Sequence, residues 1–257
     1  MLILLPPSEG KSVPRRGRRL DLDQLSFAEL TPARRQVIEA LVDLCTGERD
    51  RAQAVLGLSP GLADEVRRDA GLLSAATAPA SRIYTGVLYE ALGLATLSSA
   101  GRRRASSRLL VVSSVFGLLR PGDRIPSYRL SGDVSLPGLG TVASLWRGVL
   151  DTVLRPAAQQ QLVVDLRSTT YAGFWRPAPA QAERVVRVRV LHETAGRRTI
   201  VSHVNKATKG RLVRGLLEDG AAPRSPAAFA DALSAQGWRV EPTPDRPGSV
   251  DVVVSEL

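Results

Sequence analysis

The chain opens on a continuous apolar run, Leu2-Ile3-Leu4-Leu5, the pattern of a strand covered on both faces. The same pattern returns in RLLVVS (108–113) and in the QLVVDL stretch (161–166). RVVRVRVLHE (184–193) instead alternates at period two, as a half-exposed strand does. A turn at Gly196 pairs it with a predicted strand TIVSH (199–203), which would set His192 and His203 on adjacent strands. WRVEPTP (238–244) and SVDVVVS (249–255) supply two more strands. Between these lie helical periods. Val37, Ile38, Leu41, Val42 and Cys45 recur at helical spacing behind Thr31-Pro32, which reads as an N-cap and a first-turn proline. A short helix ends at LGLSPG (56–61), ADEVRRDAGLL (63–73) makes another, and 141–154 is amphipathic around Trp146. NKATKGRLVRGLLEDG (205–220) is a helix with a Gly220 stop, while VFGLLRPGDRIPSYRL (115–130) reads as a long ordered connection. Strands and helices alternate irregularly, so the expected fold is α/β (α+β-like), with a central mixed sheet flanked by helices in one domain over 1–257.

Composition adds charge to this picture. The 257 residues are 44% hydrophobic and 23% charged, with a net charge of +10 and a pI near 10.8. Such a balance points to nucleic acid, nucleotides or phosphorylated metabolites, although arginines dispersed over solvated faces account for it equally well. No apolar run approaches the ~20 residues that span a bilayer, so no membrane partner is expected. No basic stretch precedes the first apolar run, so no signal peptide is expected either. The single cysteine, Cys45, falls in a helical core pattern and fits a reducing cytoplasm. Among the 35 basic residues, 32 are arginine; the lysines are Lys11, Lys206 and Lys209, in just two stretches, PPSEGK and NKATKG. A lysine ammonium is compact and changes its pKa readily, which a guanidinium does not. Their clustering points to a shared site, against chance survival of three lysines.

PPSEGKS (6–12) ends like a nucleotide-binding P-loop but fails as one. Leu5 stands where that loop needs glycine, Pro6 and Pro7 lack N–H donors, and Glu9 would repel phosphate. What remains is Ser8, Glu9 and Lys11 in a stiff loop after a strand, where open α/β sheets place ligands. Lys206 and Lys209 are three residues apart, on one helical face with Arg211 nearby, and a cap at Asn205 or Ser202 would favour an anion there. DLRSTTY (165–171) offers Asp165 as a general base, a sugar-hydroxyl acceptor or a helix cap, with Ser168 and Tyr171 as ligand-bonding hydroxyls. RPGDRIPSYRL carries Arg120, Arg124, Arg129 and Tyr128, suited to a phosphate or a base, or to bracing a long loop. No spacing of metal ligands is present, so neither a metal nor another cofactor is expected.

In their order along the chain, LILLPPSEGK, YTGVLYEAL (84–92), VVSSVFGLLRPGDRIPSYRL (111–130), LWRGVL (145–150), VVDLRSTTY (163–171) and VSHVNKATKGRLVR (201–214) resemble the YaaA family of bacterial peroxide stress proteins. The resemblance runs to about position 217 and leaves 15–80 uninformative. It implies a cantaloupe-type fold with a positively charged cleft, a helix-hairpin-helix element, double-stranded DNA as partner, and a role in limiting iron-dependent damage by hydrogen peroxide. Lys11, Tyr84, Arg120, Tyr128, Arg129, Lys206 and Lys209 match the patterned stretches; LGLSPG matches the hairpin region loosely. The alternative is an enzyme on a nucleotide, nucleoside or other anionic small molecule. Glu9 or Asp165 would then be acid/base, with Lys11 and Lys206 holding phosphate or serving as amine nucleophile.

Overall fold

The structure is a computed structural model that describes residues 1–243 and 248–255. Strand β1 (Leu2–Leu5) is buried along its whole length, as its apolar run requires. Helices α1 (Thr31–Thr46), α2 (Arg49–Leu56) and α3 (Ala63–Ala70) follow, packed on one another. A short strand β2 (Ala78–Pro79) leads into α4 (Ala80–Ile83), α5 (Val87–Leu92) and α6 (Ser99–Arg108). Then come β3 (Leu109–Ser113), β4 (Gly117–Leu119), β5 (Arg124–Ile125), β6 (Ser135–Leu136) and β7 (Gly140–Thr141). Helices α7 (Val142–Val149) and α8 (Asp151–Gln160) precede β8 (Val163–Asp165) and the single turn α9 (Thr169–Ala172). The chain closes with β9 (Val185–Thr194), β10 (Arg197–Thr199), α10 (Ser202–Asp219), α11 (Pro226–Ala235), β11 (Arg239–Pro242) and β12 (Ser249–Val254).

The main sheet runs β11-β12-β9-β8-β1-β3-β4, with β10 beside the far end of β9. Its centre, β12-β9-β8-β1-β3, is parallel; β11, β4 and β10 are antiparallel. The mixed α/β class expected from the sequence is therefore what forms. From β1 the chain next enters the sheet at β3, on one side; from β8 it enters at β9, on the other. The crevice between β1 and β8 is thus the topological switch point, where such sheets bind ligands beyond the carboxyl ends of their strands.

Several local expectations are corrected. Thr31 is the first residue of α1 rather than its cap, and its buried hydroxyl has no partner among the described residues. Residues 115–130 are not a plain connection, because Gly117–Leu119 forms the edge strand β4. That edge is covered by Arg34, fully buried on α1, which donates to Phe116 O and Leu118 O (both 2.9 Å) and to Ser26 O (2.7 Å). The 141–154 helix is two helices, with Thr141 accepting from Ser144 N at the start of the first. The predicted strand 199–203 stops at Thr199, and His203 lies on α10 rather than beside His192 on a strand. Neither Ser202 nor Asn205 caps α10; Val201 holds that position without a side-chain bond. Pro244, the end of the predicted WRVEPTP strand, lies outside the described residues.

Helix α10 packs on α5, α6 and β9. It comes close because of Gly210: a Cβ there would stand 2.3 Å from Leu88 O and 2.8 Å from Ala91 Cβ. This approach brings Lys206 and Lys209 to the mouth of the β1–β8 crevice. No described helix is long and apolar enough to cross a membrane.

Candidate functional site

Two cavities open at that crevice and share Pro6, Leu88, Ser168 and Lys206. The first, about 450 Å³, lies over the end of β1, and the second, about 990 Å³, over the end of β8 and the middle of β9.

The first is built on the PPSEGK loop. Ser8 Oγ donates to Gly10 O (2.5 Å), and Lys11 makes an antiparallel bridge to Tyr84, which holds the loop against the YTG segment. Lys11 Nζ donates to Ser8 O (2.7 Å) and lies 4.3 Å from the centre of the Tyr128 ring. Beneath it runs a buried hydroxyl chain: Tyr84 Oη and Tyr128 Oη are 2.9 Å apart, and Tyr128 Oη is 2.8 Å from Ser113 Oγ. Ser113 Oγ accepts from Phe116 N (3.1 Å), which anchors the chain to the sheet. Tyr89 stacks on Tyr84 and donates to Pro6 O (2.6 Å). Burial pushes all three phenols up, so they remain protonated.

Among the described residues no carboxylate oxygen lies within 4.0 Å of Lys11 Nζ. Desolvation, helped by Arg129, lowers its pKa to about 8; Asp69, Glu65 and Glu9 pull the other way. Asp69 is fully buried on α3. Its Oδ1 accepts from Arg129 N (2.9 Å), while Oδ2 has no partner among the described residues. Desolvation raises its pKa to about 7. Arg129 also reaches across to Glu9, whose carboxylate is 3.4 Å away. Ser131, Ser168, Thr170, Tyr171 and Lys206 complete the wall.

The second cavity is dominated by fixed charge. Asp165 is buried and holds Arg167 through two 2.8 Å bonds; Arg187 stands 3.9 Å away. Burial alone would raise the Asp165 pKa, but the bonds and charge of Arg167 outweigh it and hold the carboxyl below its usual range. Asp165 is therefore committed to Arg167, which leaves it poorly placed as a base. Arg176, Arg187, Arg189, Lys206 and Lys209 line the remainder; Arg189 is itself paired with Asp251. Lys209 Nζ donates to Leu166 O (3.3 Å), and burial lowers its pKa.

The structure thus brings Ser8, Glu9, Lys11, Arg129, Ser168, Lys206, Lys209 and Asp165 to one crevice. Tyr84 and Tyr128 form its buried floor instead of its wall. Arg120 is elsewhere: its guanidinium donates to Ser106 O and Ser107 O at the end of α6 and lies over the Phe27 ring. Arg211 lies along α10 and lines neither cavity. Asp69, Tyr89 and Arg167 are the residues that sequence reasoning missed. Asp69 had a signal, an acid at the core-facing spacing Val66–Asp69 of α3. Among the described residues no group of three or more His, Cys, Asp or Glu side chains could hold a metal ion; His192 contacts Thr194 instead.

Comparison with known proteins identifies the family. The family model described as peroxide stress protein YaaA matches residues 1–243. A UPF0246 protein of Streptomyces coelicolor is 51% identical over the full length of both chains. Another, of Corynebacterium efficiens, is 40% identical over 99% of this chain and all of its own. A third, of Corynebacterium glutamicum, is 38% identical over the same spans.

Proposed function

Because the chain belongs to the family of the peroxide stress protein YaaA, we propose that it serves in the cytoplasm as a duplex-DNA-binding protein of the hydrogen peroxide response, limiting iron-dependent damage. The observation that carries this reading is the basic cleft at the switch point, where Arg176, Arg187, Lys206 and Lys209 face one 990 Å³ space. Such a surface neutralises backbone phosphates without reading sequence. The cantaloupe-type arrangement and the helix-hairpin-helix element belong to the same proposal. In the latter, Asp64 and Glu65 occupy the first turn of α3, where a phosphate would otherwise sit. The cleft is accordingly the better DNA contact than the α2–α3 turn.

The test is duplex affinity across a salt series. Each phosphate contact contributes about 0.9 to the slope of log affinity against log salt, so an Arg176→Ala/Lys206→Ala variant should lose a slope of roughly 2. Weak binding by the wild type, or an unchanged slope in the variant, would overturn the reading. A second reading, an enzyme acting on a nucleotide or other anionic small molecule, is favoured by one observation. Lys11 lies in a cavity of small-molecule size rather than on an open surface.

A further inference from the structure

We infer that Lys11 is an amine nucleophile that forms an imine with the aldehyde of an open-chain sugar phosphate. The inference rests on reading the crevice as an anion site, and it names the ligand chemistry that the first cavity accepts.

Four features of that cavity converge. Its reactive group is a lysine in a chain that otherwise uses arginine for 32 of its 35 cations, and a guanidinium cannot become a neutral primary amine near pH 7. Nζ lies at the cavity wall, held by Ser8 O and by the face of Tyr128, with no carboxylate within 4.0 Å among the described residues. Lys206, and Arg129 once a phosphate displaces the exposed Glu9 carboxylate 3.4 Å from it, supply two cations for a phosphate. Ser131, Ser168, Thr170 and Tyr171 supply hydroxyls for a sugar. The charged and titratable groups around Nζ are Arg129 on one side, Asp69 and Glu65 from α3, Glu9 from its own loop, and the Tyr84 and Tyr128 phenols below. Their sum leaves a useful fraction of free amine at neutral pH.

The step balances without a further reactant. The Nζ lone pair attacks the aldehyde carbon, the carbonyl oxygen takes a proton, and a carbinolamine forms. Its hydroxyl then leaves as water while nitrogen loses its remaining transferable proton, giving the imine. Tyr171 lines the same cavity, and burial pushes its phenol up to about 12, so it stays protonated and offers a hydrogen-bond donor rather than an acid. Two sources carry this aldehyde: a free sugar phosphate, or a deoxyribose in DNA that has lost its base.

The experiment is trapping with borohydride, which adds hydride to the imine carbon and fixes the adduct as a secondary amine. Wild-type protein is incubated with 2-deoxyribose 5-phosphate in one arm and with a duplex oligonucleotide carrying one abasic site in the other. Adducts are mapped by peptide mass spectrometry, for which three lysines and the Met1 amine are the possible sites. Adduct at Lys11 is expected, increasing as pH rises toward 8 and then levelling. It should fall to background in Lys11→Arg and persist in Lys206→Arg. Adduct in the first arm alone identifies a free sugar phosphate, and adduct in the second identifies damaged DNA; both support the inference. No adduct in either arm, or adduct only at Lys206, Lys209 or Met1, overturns it. Mapping on the wild type keeps the test decisive if Lys11→Arg fails to fold. Duplex binding without trapping would sink this inference and leave the DNA reading standing; trapping of free sugar phosphate without duplex binding would do the reverse.

Discussion

At the end of β1 a half-buried cation, Lys11, touches backbone carbonyls and an aromatic face, with no carboxylate oxygen within 4.0 Å among the described residues. One strand away, at the end of β8, a buried cation, Arg167, is held by both oxygens of Asp165. Arg167 has lost its water and Lys11 part of it, but among the described residues only Arg167 is ion-paired. Desolvation therefore moves the Lys11 pKa down to about 8, while the Asp165–Arg167 pair stays ionised and the Asp165 pKa falls. The same crevice thus contains charge that can change near neutral pH and charge that cannot.

The sharpest way to break this contrast is Asp165→Ala. It strands a buried guanidinium and should cost roughly 3–5 kcal/mol, lowering the melting temperature by on the order of 10 °C. Because the folded Asp165 pKa is depressed, its contribution is complete above the ordinary carboxylate range and is lost as pH falls through the folded value. Urea melts of wild type should show this acid limb, and the variant should lack its Asp165 share. A loss below about 1 kcal/mol would mean that Arg167 does not depend on its partner.

Gly210→Ala attacks the geometry that joins the two ends. Its methyl would press on Leu88 O, so α10 must move away from α5, at a cost of about 1–3 kcal/mol. Duplex affinity should drop along with stability, since Lys206 and Lys209 ride on that helix. Lys11→Met should cost little by comparison. A half-buried cation with no ion-pair partner among the described residues gives way to an apolar chain of similar reach, so stability near pH 7 should change by less than about 1 kcal/mol. The pH dependence separates the two chains further. The folded Lys11 pKa is about 8, below the 10.5 of an exposed lysine, so between those values the unfolded chain binds more protons and wild-type stability rises with pH. The methionine variant should lose that rise.

Much of this frame was legible in the sequence, because burial on both faces writes itself as uninterrupted apolar runs such as Leu2–Leu5. The three lysines also pointed to one crevice, since a chain this rich in arginine makes each lysine informative. Other parts were hidden for physical reasons. Arg167 looks like any surface arginine until Asp165 is seen to be buried with it. Ile200 and Val201 extend the β-branched run of a strand, yet Ile200 is exposed and the helix starts at Ser202. Gly117 to Leu119 sits among turn residues, so nothing local announces a sheet edge or the Arg34 that covers it. Asp69 lay in the stretch that carried no motif, and only its burial gives it meaning.

Asp69 also offers the finest adjustment of the contrast. It is buried with Oδ2 unpartnered among the described residues, and its charge is one of the few forces holding the Lys11 pKa up. Asp69→Asn keeps an oxygen to accept from Arg129 N and removes only the charge. The Lys11 midpoint, read from the pH profile of imine trapping or of amine acylation, should therefore move down. Stability should respond in a definite direction as well. The folded Asp69 pKa is raised to about 7, above the ordinary carboxylate value, so the folded state binds the extra proton. Wild type is then most favoured at low pH and loses that contribution as pH rises through 7. The asparagine variant, with nothing to ionise, should overtake wild type above that point. An unchanged Lys11 midpoint would mean that Arg129 and burial alone set it, and that the acid on α3 plays no part in tuning the amine.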